Sequence, residues 1–186
     1  KKGSPSLILP APPSSVGDFP LKLIGASLGY SKEAIPILQD VNIEIESGSR
    51  IVCVGRNGAG KSTLIKAIAG NLDLISSGQR QAHPRLKIAV FSQDLSQELD
   101  PELTGLELVV NAARRSGQTE ISEAEARKVL GALGLSGDKA LRASGYLSGG
   151  EKAKVAMASF ALTPAHFHVY DEPSNHADAQ CVEALL

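Results

Sequence analysis

The stretch Gly55-Arg56-Asn57-Gly58-Ala59-Gly60-Lys61-Ser62, followed by Thr63, decides the fold of this 186-residue chain. It fits the pattern G-x-x-x-x-G-K-[ST]; an apolar run at 51–54 precedes it, and a helical pattern from Ser62 to Gly70 follows it. Strand, glycine-rich loop and helix in this order form the context in which the pattern binds phosphate. Glycines let backbone N–H groups turn inward toward phosphate oxygens, and the positive end of the helix adds to the attraction.

The side chains of the loop extend this prediction from phosphate to a nucleotide with a metal ion. The ammonium of Lys61 can reach the β- and γ-phosphates, and the hydroxyl of Ser62 can ligate Mg²⁺. The alternative is a glycine turn that only joins a strand to a helix, but every fixed position of the pattern is filled. We therefore predict that a nucleotide contacts Gly55, Arg56, Asn57, Gly58, Ala59, Gly60, Lys61, Ser62 and Thr63.

Two further segments follow the loop at a distance. Leu147-Ser148-Gly149-Gly150-Glu151 precedes a helical run from Lys152 to Leu162. After it, Phe167-His168-Val169-Tyr170 leads into Asp171-Glu172-Pro173. Taken alone, Leu-Ser-Gly-Gly is compatible with a simple helix cap after a turn. The three segments in this order and at this spacing are not expected by chance.

From about Leu21 to its end, the chain resembles the nucleotide-binding domain of ATP-binding-cassette (ABC) ATPases. The second segment is similar to their signature motif, and the third is similar to their Walker B strand. The resemblance implies an α/β P-loop fold with a largely parallel core sheet, an antiparallel β subdomain and a helical signature subdomain. It also implies that ATP and Mg²⁺ are bound, and that two such domains pair head to tail. Each then contributes its signature segment, Leu147, Ser148, Gly149, Gly150 and Glu151, to the ATP of the other.

The same resemblance implies roles for residues outside the loop. Asp171 would hold Mg²⁺ together with Ser62, while Glu172 would orient and deprotonate the attacking water. Gln93 would contact Mg²⁺ and that water, with a solvated loop glutamine as the alternative. Tyr30 would stack on adenine, although a tyrosine at a strand end often only packs. The catalytic set is then Glu172, Gln93 and Lys61, and Asp178 would signal across the interface between paired domains.

The segment Ser174-Asn175-His176-Ala177-Asp178 narrows the resemblance. In the ABC-F and ABC-E groups the Walker B strand is typically followed by Thr-Asn-His-Leu-Asp, whereas transporter subunits more often have Thr or Ser, then Ser or Ala, then Ala-Leu-Asp. Asn175, His176 and Asp178 match the first pattern. The resemblance therefore favours an ABC-F-like cytoplasmic ATPase that acts in translation at the ribosome. The alternatives are the ATPase subunit of a membrane transporter and a non-catalytic cassette that folds poorly.

Composition adds few constraints. The 19 Lys and Arg residues are balanced by 20 Asp and Glu residues, so charge argues for neither a ribosome nor a membrane partner. Cys53 lies in the apolar run and is expected to be a buried core residue. Cys53 and Cys181 form no disulfide framework or cysteine metal motif, which suits a reducing cytosol. No apolar run approaches the ~20 residues that span a bilayer.

The pattern along the chain predicts a proline-rich linker at 1–20 and an ABC domain at 21–186, whose helical subdomain covers about 94–162. We expect strands at 21–24, 41–46, 50–54 and 86–92, a turn at 76–78, a helix at 104–115, and a helix that begins at a Ser122/Glu125 capping box. The chain lacks an initiator Met and stops within a helical pattern, so we expect a fragment. It would lack the next core strand and the switch histidine of the family, and would then bind nucleotide weakly and hydrolyse little.

The Walker B segment departs from the family pattern in one respect. A central parallel strand is usually apolar on both faces. Here His166, His168 and Tyr170 alternate onto one face, and a buried histidine needs a hydrogen-bond partner. The spacing of His166 and His168 would suit a metal pair, but no third ligand accompanies them.

Overall fold

The computed structural model describes residues 10–31 and 34–171, and within the second range it leaves out the side chains of residues 93 and 94. The chain divides into two compact units. One unit is residues 14–88, and the other begins at residue 89 and includes residues 10–13. Each unit has its own hydrophobic core.

The unit at 14–88 is built on an antiparallel sheet. Its elements are β1 (Leu21–Leu28), β2 (Leu38–Ile45), α1 (Lys61–Ala69), a 3-10 turn (Leu72–Leu74) and β3 (Ile75–Ala82). β1 lies in the middle, and both neighbours pair with it antiparallel, with Leu21 opposite Ile45 on one side and Ala82 on the other. The antiparallel β subdomain expected from the resemblance is therefore present.

Helix α1 supplies the apolar cover of this sheet. Ala67 of α1 is buried against Leu23, Ala26 and Leu28 of β1, and Leu64 and Ile68 complete the contact. These helix positions recur with the helical period, so one stripe of α1 faces the sheet. The packing fixes where α1 begins, and therefore where the loop before it ends.

The turn predicted at 76–78 is wrong, because β3 runs straight through it. Gly78 has φ of +79° and lies so close to β1 that a Cβ atom on it would collide with the carbonyl of Gly25. The register between β1 and β3 shifts at the same place, between Ile24 and Ser27. Gly78 is thus required by a β-bulge and by the close approach of β1 and β3. A Ser-Ser-Gly sequence is equally typical of a turn, so the sequence alone does not distinguish the two.

The strand predicted at 50–54 is also wrong, and so is the burial predicted for Cys53. Residues 51–54 join no ladder formed by the described strands. Val52 and Val54 are 84% and 87% exposed, and Cys53 is exposed as well. An apolar strand becomes buried only where neighbouring strands pair with it and helices cover its faces. The described ladders, β2-β1-β3 and β4-β5, form without this segment.

The second unit is mainly helical. Its elements are β4 (Ile88–Phe91), a 3-10 turn (Gln93–Ser96), α2 (Gly105–Arg115), α3 (Glu123–Ala132), 3-10 turns at Gly137–Lys139 and Ser144–Tyr146, α4 (Gly149–Ala161) and β5 (Phe167–Tyr170). Its core is formed by α2, α3 and α4, with Val109, Leu130 and Met157 fully buried. None of the described helices has the length and apolar character that a bilayer span requires.

Each of α2, α3 and α4 begins at a capping box. The N-cap residues are Thr104, Ser122 and Ser148, and each accepts a hydrogen bond from the glutamate three residues later, whose carboxylate returns to the N-cap backbone. The reciprocal bonds satisfy N–H groups that a helix start otherwise leaves unpaired. The predictions of the Ser122/Glu125 box and of a helix at 104–115 are confirmed.

Strands β4 and β5 pair, and their C-terminal ends lie side by side. The N–H of Asp171 donates to the carbonyl of Phe91 at 2.9 Å. Because this bond joins the last residue of β4 to the residue after β5, the two strands run in the same direction. The segments that follow them, which carry Gln93 and Asp171, therefore leave the sheet at the same edge.

The polar face of β5 is covered by an aromatic residue of α4. The ring of Phe160 contacts those of His168 and Tyr170 edge-on, with centroids 5.3 and 5.0 Å away, and also meets Phe91 at 5.7 Å. Edge-to-face contacts of this kind are favourable between aromatic rings. Histidine and tyrosine thus replace the aliphatic residues expected on this face.

Candidate nucleotide-binding site

The loop at 55–60 owes its conformation to glycine. Gly58 has φ of +80°, and Gly60, the N-cap of α1, has φ of +90°. A Cβ atom on Gly60 would lie 2.9 Å from side-chain carbons of Ile37 and Leu38. Only glycine combines this left-handed backbone with this close contact. The start of β2 therefore holds the end of the loop in place.

The helix that follows presents an uncompensated positive end. The first turn of α1 holds no acidic residue, and Gly60 contributes no side-chain cap. Residues 55–59 are exposed, whereas Thr63 is buried and anchors the first turn. The N–H groups of an accessible helix start attract anions such as phosphate.

Lys61 closes the loop on itself. Its ammonium donates to the carbonyl oxygens of Gly55 and Arg56, both at 3.0 Å. These two oxygens are therefore partners of its positive charge in the structure. A nucleotide entering the loop would exchange them for phosphate oxygens, which form stronger, charge-assisted hydrogen bonds.

Tyr30 belongs to the same unit as the loop. It stands two residues after the end of β1 and is 67% exposed, so its ring is not part of the core. The packing alternative considered for this tyrosine is thereby weakened. Its stacking on adenine stays a prediction.

The signature segment forms the start of α4. Leu147 is buried and anchors the segment, whereas Ser148, Gly149 and Gly150 are exposed. The hydroxyl of Ser148 accepts from the N–H of Glu151 at 3.3 Å and donates to its carboxylate at 3.1 Å. The cap that the sequence allowed as an alternative is therefore present, and it is compatible with a second role for Ser148.

The fold itself does not require the two glycines of this segment. A Cβ atom on Gly149 or Gly150 would meet no atom within 4 Å, and neither has a positive φ. Gly60 and Gly78 differ from them, because at those two positions a Cβ atom would collide with other residues of the chain. Glycines that the described part of the chain does not need are consistent with the close approach of something outside it.

Glu151 is held firmly in its ionised form. The backbone N–H of Ser148, the ammonium of Lys139 and the hydroxyl of Ser148, in that order, lower the pKa of Glu151 to about 2. Lys139 lies 2.9 Å from one carboxylate oxygen, and the Ser148 N–H lies 3.0 Å from the other. Hydrogen bonds to a carboxylate favour its charged form, as does a neighbouring cation.

The residues at the strand ends are described only in part. Gln93 begins a 3-10 turn directly after β4 and Ser92, and Asp171 directly follows β5. The side chain of Gln93 is not described, and Glu172 and Asp178 lie outside the described residues. Their roles stay predictions.

His168 is a half-buried histidine with one buried ring nitrogen, and the predicted site does not use it. Its Nε2 has no hydrogen-bond partner among the residues that the structure describes, and burial lowers the pKa of the ring against the opposing effect of a hydrogen bond to the Thr163 backbone. Burial likewise raises the pKa of Tyr170. Both shifts disfavour charge on this face of β5. The described residues hold no cluster of three or more side chains suited to a metal ion.

The predicted site residues fall into two sets. Tyr30 and 55–63 lie in the unit at 14–88, whereas Gln93, 147–151 and Asp171 lie in the other unit. Sequence reasoning missed Lys139 as a partner of Glu151, because it stands in a 3-10 turn outside any motif. It also missed the contact of Gly60 with β2, which no local pattern predicts.

Comparison with known proteins identifies the family to which the chain belongs. A family model described as "ABC transporter" matches residues 38–175, which include the glycine loop, the signature segment and the residues after β5. The match covers well over half of the chain.

Individual relatives narrow the comparison. The chain is 40% identical over 149 residues to the mouse ATP-binding cassette sub-family F member 3, which covers 80% of this chain and 20% of that protein. It is 35% identical over 166 residues to the yeast protein GCN20, with 89% and 21% covered. The Arabidopsis ABC transporter F family member 3 is 36% identical over 177 residues, with 95% and 24% covered. The chain thus spans about a fifth to a quarter of the length of these relatives.

Solved structures show the same fold. One, described as the ATP-binding subunit of an ABC transporter, is 29% identical, with a TM-score of 0.67 over 88% of this chain and 70% of that one. Another is a dimeric ATP-binding cassette in a post-hydrolysis state bound to ADP and Pi. It is 25% identical, with a TM-score of 0.68 over 89% of this chain and 79% of that one.

Proposed function

Since the chain belongs to the ABC transporter family and has the fold of its nucleotide-binding domains, we propose that it binds ATP with Mg²⁺ and hydrolyses it. One observation carries the proposal. The glycine loop ends at a helix start that is accessible and free of acidic residues, and the loop lysine already lies on the loop backbone. Such a loop is suited to phosphate and to little else.

The residues of the loop divide the work of binding. The N–H groups of 57–61 would surround the phosphates, and Lys61 would leave the carbonyls of Gly55 and Arg56 for the β- and γ-phosphates. Ser62 and Asp171 offer the hard oxygen donors that Mg²⁺ prefers, and the ion, when bound, would neutralise phosphate charge. Gln93 and Glu172 would position the attacking water, and Glu172 would take its proton.

The signature segment would serve a second cassette. Ser148 and the open backbone of Gly149 and Gly150 would face the γ-phosphate of a nucleotide held by a paired domain. The dimeric state of one structural neighbour supports this pairing. ATP would then close the pair, and hydrolysis would reopen it.

Nucleotide binding is tested first at Lys61. Lys61→Ala should weaken ATP binding at least about tenfold, because charge-assisted bonds to two phosphates are lost. The affinity of a fluorescent ATP analogue measures this effect, and Lys66→Ala on the same helix is the matched control. Equal affinities of wild type and Lys61→Ala would contradict the assignment of the loop.

Hydrolysis is tested at Glu172. Glu172→Gln should bind ATP but turn it over at least about a hundredfold more slowly, because the water loses its base. Phosphate release reports the rate. Undiminished turnover would remove Glu172 from the mechanism.

For the cellular role we propose an ABC-F-like cytoplasmic ATPase that acts in translation at the ribosome. Its support is the similarity to F-family relatives together with Asn175, His176 and Asp178. The test is sedimentation of a lysate that contains the full-length protein with Glu172→Gln. Co-migration with ribosomes that requires ATP is the expected result, and recovery with membranes would instead favour the transporter ATPase.

A further inference from the structure

We propose that Lys139 is a positioning residue of the signature segment: its ammonium neutralises Glu151 and so lets the start of α4 accept the terminal phosphate of a nucleotide held by a paired domain. The proposal rests on the proposed function, which assigns residues 147–151 to that phosphate. It adds a residue that no motif contains.

A carboxylate in the first turn of α4 is unfavourable for binding a phosphate there, and Lys139 offsets its charge. The first turn of α4 contains Glu151, whose Oε2 accepts from the N–H of Ser148 at 3.0 Å and from its hydroxyl at 3.1 Å. A negative charge there already satisfies the positive helix end and repels a second anion. The phosphate-binding start of α1, by contrast, has no acidic residue in its first turn.

Lys139 cancels this charge from the side away from Ser148. Its Nζ lies 2.9 Å from Oε1 of Glu151, while Oε2 is the oxygen that faces Ser148. The carboxylate is the better shielded partner, with 19% of its side chain exposed against 54% for Lys139. A phosphate that approaches Ser148 and Gly150 therefore meets a neutral pair instead of a full negative charge.

The other capping boxes show that capping alone does not need a cation. In α2 the carboxylate of Glu107 makes the same bonds to Thr104, at 2.8 Å to both the N–H and the hydroxyl. No ion pair of Glu107 occurs within the described part of the chain. In α3 the charge of Lys128 acts on Glu125 only from a distance, without an ion pair among the described residues. The box whose carboxylate forms an ion pair with a lysine is the one at the helix assigned to phosphate.

The test is a cycle of four full-length proteins: wild type, Lys139→Met, Glu151→Gln and the double variant. We expect Lys139→Met to raise the KM for ATP about two- to five-fold with kcat little changed, because an uncompensated carboxylate repels the phosphate. The increase should shrink as salt is raised. In the Glu151→Gln background, Lys139→Met should change nothing, and Lys139→Arg should keep the wild-type KM.

Two results would overturn the proposal. If Lys139→Met lowers the melting temperature but leaves KM unchanged, the ion pair is only structural. If Lys139→Met raises KM equally in the Glu151→Gln background, Lys139 acts on the nucleotide directly and not through Glu151.

Ser148→Arg separates this proposal from the proposed function. If Ser148→Arg leaves ATP turnover intact, the role proposed for the signature segment is wrong and the role of Lys139 falls with it, whereas ATP hydrolysis by the chain stands. If Ser148→Arg abolishes turnover while Lys139→Met behaves as wild type, only the role of Lys139 is refuted.

Discussion

At the scale of single residues, the glycines divide into those the fold needs and those it does not. Gly60 is fixed by a left-handed backbone and by contacts with Ile37 and Leu38. Gly149 and Gly150 have open space around them. The sequence motifs contain all three glycines. Only the structure shows that packing within the chain requires glycine at Gly60 and does not require it at Gly149 and Gly150.

This difference leads to a prediction for Gly150. Gly150→Ala should leave the free energy of unfolding unchanged or raise it by up to about 1 kcal/mol, because alanine is the better helix residue. ATP turnover should nevertheless fall at least about tenfold, because the new methyl group blocks the approach of the phosphate. Urea unfolding and phosphate release measure the two effects.

Gly131→Ala is the matched control for this prediction. Gly131 lies in α3, and a Cβ atom on it also meets nothing within 4 Å. It should show the same gain in stability with unchanged turnover. A loss of turnover in both variants would mean that the effect does not arise at the signature segment.

His168 makes stability depend on pH. Burial lowers its pKa in the folded chain, so the folded state binds the proton more weakly than the unfolded state. The stability is therefore fully present above the ordinary histidine pKa of about 6.5 and is lost as pH falls from there toward the lowered value. We expect urea unfolding to show a smaller free energy at about pH 5.5 than at about pH 7.5.

Replacement of the ring tests the cause. His168→Phe removes the unpaired Nε2 and should reduce the difference between the two pH values. His166→Phe, just before β5 and two residues away, is the control and should keep the difference. If His168→Phe retains the full pH effect, another group is responsible.

At the scale of elements, local chemistry predicted the helices better than the strands. The Ser122/Glu125 box and the periodic run at 104–115 identified α3 and α2, because caps and helical period are written in neighbouring residues. The errors, at 50–54 and 76–78, concern pairing between strands. Pairing depends on residues far away in the sequence, which a local pattern does not contain.

Gly78 permits a direct measurement of one such long-range contact. Gly78→Ala should lower the free energy of unfolding by about 3 kcal/mol or more, because alanine has two costs here. Its backbone is strained at this positive φ, and its Cβ atom collides with the carbonyl of Gly25. Chemical denaturation gives the value.

Gly48→Ala isolates the backbone contribution. Gly48 has the same φ of +79°, but a Cβ atom on it meets nothing within 4 Å. Its substitution should cost only about 1 kcal/mol. Equal costs for Gly48→Ala and Gly78→Ala would show that the contact between β1 and β3 is not as close as described.

At the scale of the whole molecule, the predicted site residues form two groups, one in each unit. The motifs predict both groups, since each motif is short and chemically specific, and the roles of these residues stay predictions. They could not predict that the apolar run before the loop stays exposed, because burial of a strand depends on its neighbours in space.

The exposure of this run is tested through Cys53. Iodoacetamide should label Cys53 in the native protein nearly as fast as in urea, because the thiol is accessible. Peptide mapping separates this label from any on Cys181. Labelling of Cys53 that requires denaturant would show that the run is covered.

One contact at the far end of α1 has a mechanical meaning. Arg80 of β3 donates from two nitrogens, at 3.1 and 2.8 Å, to the carbonyl of Ile68 in the last turn of the helix. Helix α1 therefore connects the glycine loop at its N-terminal end to strand β3 at its C-terminal end. If a ligand that binds in the loop displaces α1 along its axis, either the hydrogen bonds from Arg80 to Ile68 lengthen or β3 moves together with the helix.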